Sequence, residues 1–149
     1  MIINNEFVLD IPSNFKVLNE EEIKKVYQTS SPHVVATSTN DEEMISVIWQ
    51  KASTIFLKFS NLSKQAKKNA KAVEKVYNGK EFKLFDYVSK KVNNIEYEGY
   101  TYSFNGKKTI KYAITLLFKG EKNIYSISLY KLDNNFDDID ALLQNMNYK

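Results

Sequence analysis

Alternation of large apolar and polar residues is clearest from Phe82 onward, where it predicts a meander of four strands. Three turn signals separate them: Asn93-Asn94, Asn105-Gly106 and Gly120-Glu121 are two-residue hairpin candidates, Asn-Gly the strongest. A two-residue turn at Asn105-Gly106 sets Phe104 opposite Lys107, Tyr102 opposite Thr109 and Tyr100 opposite Lys111. One face of the sheet then gathers Tyr97, Ile110, Tyr112, Ile114 and Leu116. Tyr125, Ile127 and Leu129 join it if Gly120-Glu121 is also a two-residue turn. The other face carries Tyr100, Tyr102, Lys111, Ala113, Thr115, Ser126, Ser128 and Tyr130, a floor of small polar residues with tyrosines and a lysine at one end.

Upstream, Phe7, Leu9 and Ile11 alternate, Pro12-Ser13-Asn14 turns, and Phe15 and Val17 resume, which reads as two short strands. Asn19 stands three residues before Glu22, with further acids in the first turn and lysines later, so a helix is expected from Glu20 to Gln28. Residues 33–50 read as strand, polar turn (Asn40-Asp41-Glu42-Glu43) and strand, with Ile45, Val47 and Trp49 on one face. The stretch 52–60, ASTIFLKFS, has no clear period. Beyond it Leu62, Ala66, Ala70, Val73 and Tyr77 recur at helical spacing, and Gly79 is a fitting stop. A last helix opens on Asp137, Asp138 and Asp140, with Ile139, Leu142, Leu143 and Met146 as its apolar side.

The predicted order is β-β-α-β-β-α-β-β-β-β-α, an α+β chain arranged as an α/β/α sandwich around a mostly antiparallel sheet. With 149 residues, no repeat and no linker, residues 1–149 read as a single domain. A hydrophobic share of 43% and a charged share of 26% are those of a globular protein rather than a disordered one.

There is no cysteine, which removes disulfides, thiolate metal sites and thiol nucleophiles together. All 21 basic residues are lysine. Without arginine's bidentate fork, specific reading of nucleic acid is not expected. Abundant lysine, asparagine, isoleucine and tyrosine point to an AT-rich bacterial genome. No apolar run has the length of a membrane span, and the start lacks the basic and apolar regions of a signal peptide. The expectation is a cytoplasmic protein, or an envelope lipoprotein or secreted protein if a leader has been removed.

Catalytic chemistry finds few footholds. The single histidine, His33, follows Pro32 at a strand start, with no nucleophile motif in the chain. None of the four glycines falls in a phosphate-binding pattern. Asp133, Asn135 and Asp137 match the first ligand positions of a calcium loop, but Asp138 replaces the turn glycine and Gln144 the closing glutamate. These acids suit a helix N-terminus instead. Glu96 and Glu98 share a strand face and read as surface charge. No metal and no cofactor are expected.

Two surfaces remain as binding candidates. Tyr100, Tyr102, Lys111 and Tyr130 line the tyrosine face of the meander; the alternative is that a helix packs there. Lys64, Lys68, Lys71 and Lys75, with Lys67 beside them, form a basic stripe suited to an anionic lipid surface or an acidic protein, or simply to solvent.

The early FVLDIPSNFKV, the helix, hairpin and long helix that follow, and the meander VNNIEYEGYTYSFNGKKTIKYAITLLFKGEKNIYSISLY together resemble the PsbP-like superfamily. That superfamily includes plant photosystem PsbP proteins, the Ran-binding Mog protein and bacterial envelope lipoproteins such as DcrB. The resemblance covers nearly the whole chain, rests on element order, and transfers no ligand residue. It implies an α/β/α sandwich and a non-enzymatic binding or scaffold role, and the main expectation is an adaptor that binds a protein partner. The rival expectations are a small-ligand carrier using the tyrosine face and, last, an enzyme with a carboxylate or lysine site.

Overall fold

A computed structural model describes residues 1–27, 32–40 and 42–149. In chain order its elements are β1 (Ile2–Ile3), β2 (Phe7–Leu9), β3 (Phe15–Val17), α1 (Glu20–Val26), β4 (Val34–Ser38), β5 (Met44–Lys51) and α2 (Thr54–Phe59). There follow α3 (Leu62–Val76), β6 (Lys83–Val92), β7 (Ile95–Asn105), β8 (Ile110–Lys119), β9 (Asn123–Lys131), α4 (Asp137–Gln144) and β10 (Met146–Tyr148). The expected α+β sandwich is present, with β1, α2 and β10 as additions.

Local signals account for most boundaries. Asn19 accepts from the Glu22 amide at 2.9 Å while Glu22 accepts from the Asn19 amide at 3.1 Å, a reciprocal cap that starts α1. α1 is observed to Val26; Gln28, its expected end, lies outside the described residues, as does Asp41 of the polar turn. Gly79 adopts a φ of 81° just beyond α3, the left-handed stop that glycine supplies. Asn93 and Asn94 both have positive φ, 53° and 63°, and join β6 to β7 as the expected two-residue turn.

The other two hairpins differ from expectation. The Gly106 amide bonds to the Thr109 carbonyl at 2.9 Å, so the loop spans Gly106–Thr109 rather than Asn105-Gly106 alone. Phe104 therefore faces Lys111, Tyr102 faces Ala113 and Tyr100 faces Thr115. The two-residue register would have placed Lys111 opposite Tyr100, burying an ammonium in the middle of the sheet. Because the displacement is even, the same residues share each face. At the third hairpin Gly120 pairs with Asn123 (2.8 Å), moving the loop to Glu121 and Lys122, and Tyr125, Ile127 and Leu129 join Phe118, Leu116 and Ile114 as expected.

All seven strands of the large sheet are antiparallel, in the order β3-β4-β5-β9-β8-β7-β6; β1-β2-β10 form a second sheet from the two ends of the chain. One face of the large sheet, with Ile45, Val47, Tyr97, Leu116, Phe118, Tyr125 and Ile127, packs on Ile3, Phe7 and Leu9 of the small sheet and on Ile139, Leu142 and Leu143 of α4. Ile110 lies beyond the edge of this core and is 47% exposed, although its strand parity assigns it to that face. The other face receives α3.

Candidate binding surfaces

α3 rests on the meander through Ala66 and Ala70, both buried, and its small side chains let the helix sit directly over Tyr100, Tyr102, Phe104, Ala113 and Leu117. Tyr100 and Tyr102 are 0% and 1% exposed. Tyr100 donates its hydroxyl to Asn69 of α3, and the Tyr102 hydroxyl lies 3.1 Å from Thr115 Oγ1. Tyr77, at the end of α3, stacks on Phe104 with centroids 3.9 Å apart. Burial drives the phenol pKa values of Tyr77, Tyr100 and Tyr102 upward, and neighbouring tyrosines, Tyr130 first among them, add to it.

The four residues expected to line an open carrier face are thus not brought together as one. Tyr100 and Tyr102 are core. Tyr130 is half-buried at the margin, edge-on to Phe104 at 6.2 Å, and Lys111 points its ammonium at the Glu42 carbonyl, 3.3 Å away. The reason is α3 itself, whose alanines fill the space above the small-residue floor. A helix packed on this face, the alternative to an open one, is the arrangement observed.

The basic stripe is exposed. Lys64, Lys67, Lys68, Lys71 and Lys75 all project from the outer side of α3, and none makes an ion pair among the described residues. Lys67 Nζ lies 5.6 Å from the centroid of Tyr87 on β6.

Two exposed features escaped the sequence reading. On α2, Ile55 and Phe59 are 72% and 76% exposed, while Leu57 alone is buried. On β6, the outermost strand of the sheet, Leu84, Phe85 and Tyr87 are about half-exposed, and Phe85 stacks on Tyr112 with centroids 6.3 Å apart. The signal for each was a run of apolar residues without a period, TIFLKF and LFDYV, that no buried face accounts for.

Groups with chemical potential are held structurally. His33 stacks on Trp49 at 3.8 Å and accepts from the Trp49 amide through Nδ1 at 3.2 Å; burial lowers its pKa. Glu98 accepts from Ser89 at 2.6 Å. In the calcium-like stretch, the buried Lys131 ammonium reaches the Asn135 carbonyl at 2.6 Å, Asp138 at 3.2 Å and Asp133 at 3.7 Å, so a lysine stands where a cation would. A groove of about 400 Å³ runs between the start of α3 (Asn61, Leu62, Ser63) and Glu96, Glu98, Lys119 and Tyr148.

Neither protein-family models nor curated proteins yield a match to the sequence. Solved structures do. Cyanobacterial PsbP (CyanoP) from Synechocystis superposes over 97% of this chain and 88% of its own, with a TM-score of 0.70 at 12% identity. LpqN, involved in cell envelope biogenesis of Mycobacterium tuberculosis, matches 96% of this chain and 83% of its own, with a TM-score of 0.54 at 13% identity. A Bacteroides thetaiotaomicron protein matches 96% of this chain but 45% of its own length, with a TM-score of 0.60 at 8% identity. The chain has the PsbP-like fold, as the element order implied.

Proposed function

We propose that this chain is a non-enzymatic binding domain, an adaptor whose partner is a protein that docks on the open edge of β6. The observation that carries the reading is β6 itself. It is ten residues long, it is hydrogen-bonded on one side to β7, and no described strand pairs with its other side. An edge of that length offers a row of backbone donors and acceptors to an added strand. Leu84, Phe85 and Tyr87 place apolar area beside it, and such area exposed on one side of a domain marks protein contact. The irregularity between Leu84 and Tyr87 breaks regular pairing and so favours a specific partner over indiscriminate edge-to-edge association.

The non-catalytic part of the reading is supported by the engagement of His33, Glu98 and Lys131 in packing and hydrogen bonds. The PsbP-like fold fits it, since nothing in that architecture requires a catalytic centre.

The test is site-specific photo-crosslinking in the source cells, with a photoreactive residue at Leu84 or Tyr87 and a control at Val17 on β3, the opposite edge. A discrete protein adduct from β6, missing from β3 and lost when Phe85 is changed to Glu, is the expected result. Adducts of equal pattern from both edges, or none from β6, would refute the reading.

A further inference from the structure

From Met44 to Val73 the chain contains no acidic residue and six lysines, Lys51, Lys58, Lys64, Lys67, Lys68 and Lys71. All six are exposed. The segment folds as the end of β5, then α2 and α3, so five of the six lysines lie on two consecutive helices. The Ala52 amide bonds to the Lys122 carbonyl at 3.0 Å, which brings another exposed lysine to the start of α2.

The basic stripe of α3 by itself lacks large apolar side chains, and α2 supplies them. Ser53 caps that helix by accepting from the Phe56 amide at 3.1 Å, and Leu57 anchors it. Ile55 and Phe59, four positions apart, share a helix side and stand in solvent, with Lys58 Nζ 5.6 Å from the Phe59 ring. The pair is close to the stripe along the chain. Ser60 and Asn61 alone separate the two helices, Asn61 caps α3 through the Lys64 amide, and Lys119 Nζ donates to the Ser60 carbonyl at 2.6 Å.

We propose that the α2–α3 layer docks on an anionic lipid surface, with Ile55 and Phe59 entering the interface and the lysines meeting headgroup phosphates. Protruding apolar side chains with Lys58 beside them and exposed lysines on the next helix match the interfacial pattern, in which apolar insertion and attraction to anionic lipid act together. An acidic protein would use the lysines but leave the apolar pair unexplained. The lysines are also dispersed point charges without arginine's fixed fork, which suits a fluid array of phosphates better than one shaped carboxylate site. Lys67 lies beside Tyr87 where this surface meets the β6 edge, but Ile55 and Phe59 stand on α2, so the inference goes beyond the adaptor reading and does not depend on it.

Co-flotation with vesicles tests it, using phosphatidylcholine alone and phosphatidylcholine mixed with phosphatidylglycerol. Binding to the mixed vesicles only is expected. Ile55→Ser with Phe59→Ser should lower partitioning at least about tenfold, since two apolar groups lose their transfer into the interface. Lys64→Gln with Lys68→Gln should lower it about fivefold for each charge. These positions are exposed, and circular dichroism checks that the variants fold. The Phe85→Glu variant should float like the parent chain, which separates this test from that of the adaptor reading. Failure to float, or flotation that ignores the Ile55/Phe59 change, would overturn the proposal. Retention on poly-glutamate without vesicle binding would also overturn it and assign the layer to an acidic protein.

Discussion

Thr115 and Ser128 face each other across β8 and β9 with hydroxyl oxygens 2.7 Å apart, beneath α3 and out of reach of solvent. The Tyr102 hydroxyl joins Thr115 from β7, so three strands share one buried chain of hydroxyls. Replacing Thr115 with Val keeps the shape and removes the middle link. Tyr102 and Ser128 then lose a buried partner, and the cost should be about 1–3 kcal/mol. Urea denaturation should show a lower midpoint with an unchanged slope, because the fold and its buried area stay the same.

The closure of the tyrosine face makes a second prediction. Burial raises the phenol pKa values of Tyr27, Tyr77, Tyr97, Tyr100 and Tyr102, since a phenolate loses more than a phenol when taken from water. In an absorbance titration these five side chains should stay neutral at a pH that ionises a free phenol. Their signal should appear together, abruptly, when alkali unfolds the chain. Gradual ionisation of Tyr77, Tyr100 and Tyr102 around the ordinary value would mean that α3 does not seal the face.

The contrast between faces and their covers runs through the comparison of sequence and structure. Asn19 with Glu22, and Asn93 with Asn94, were legible because a cap or a tight turn is decided within four residues. Strand parity was legible for the same reason, and it survived the four-residue displacement at Gly106–Thr109. That displacement was not legible, because the choice of loop depends on which residues α3 requires beneath it. β1 and β10 were missed because two or three residues carry no period, and the pairing of β10 with β2 joins opposite ends of the chain. The Tyr100/Tyr102 face was legible as a face. What covers it is a long-range fact, visible only once Ala66 and Ala70 are placed above it. α2 was missed because its Ile55 and Phe59 side remains in solvent and thus breaks the inside–outside pattern on which periodicity rests.

Glu6 fastens the small sheet to the β8–β9 turn. Its carboxylate accepts from the Glu121 amide at 2.5 Å, Tyr125 OH at 2.7 Å and Asn123 Nδ2 at 3.2 Å. A Cβ at position 120 would stand 2.4 Å from Glu6 Oε2, so Gly120 is required for this approach. Burial alone would raise the Glu6 pKa, but the hydrogen bonds outweigh it and hold it below its usual 4.5. A depressed folded pKa gives stability that is present above the unfolded value and lost as pH falls through the folded one. Glu6→Ala should cost about 2 kcal/mol at neutral pH. In acid the two proteins should converge, which thermal melts across the carboxylate range will show.

Lys131 decides how the DNNFDDID loop behaves. Asp133 accepts from the Asn135 amide, Asn135 from the Asp137 amide, and the Lys131 ammonium closes the group from inside. A calcium ion entering here would meet a fixed positive charge at close range, already paired with Asp133 and Asp138. Calcium at millimolar concentration should therefore leave the melting temperature unchanged. Lys131→Met should lower stability by about 1–2 kcal/mol through loss of the bonds to Asn135 and Asp138, an amount limited by the ease with which the half-exposed aspartate regains water. If calcium raises the melting temperature of the parent chain, the ammonium is not holding that place, and the loop is a metal site after all.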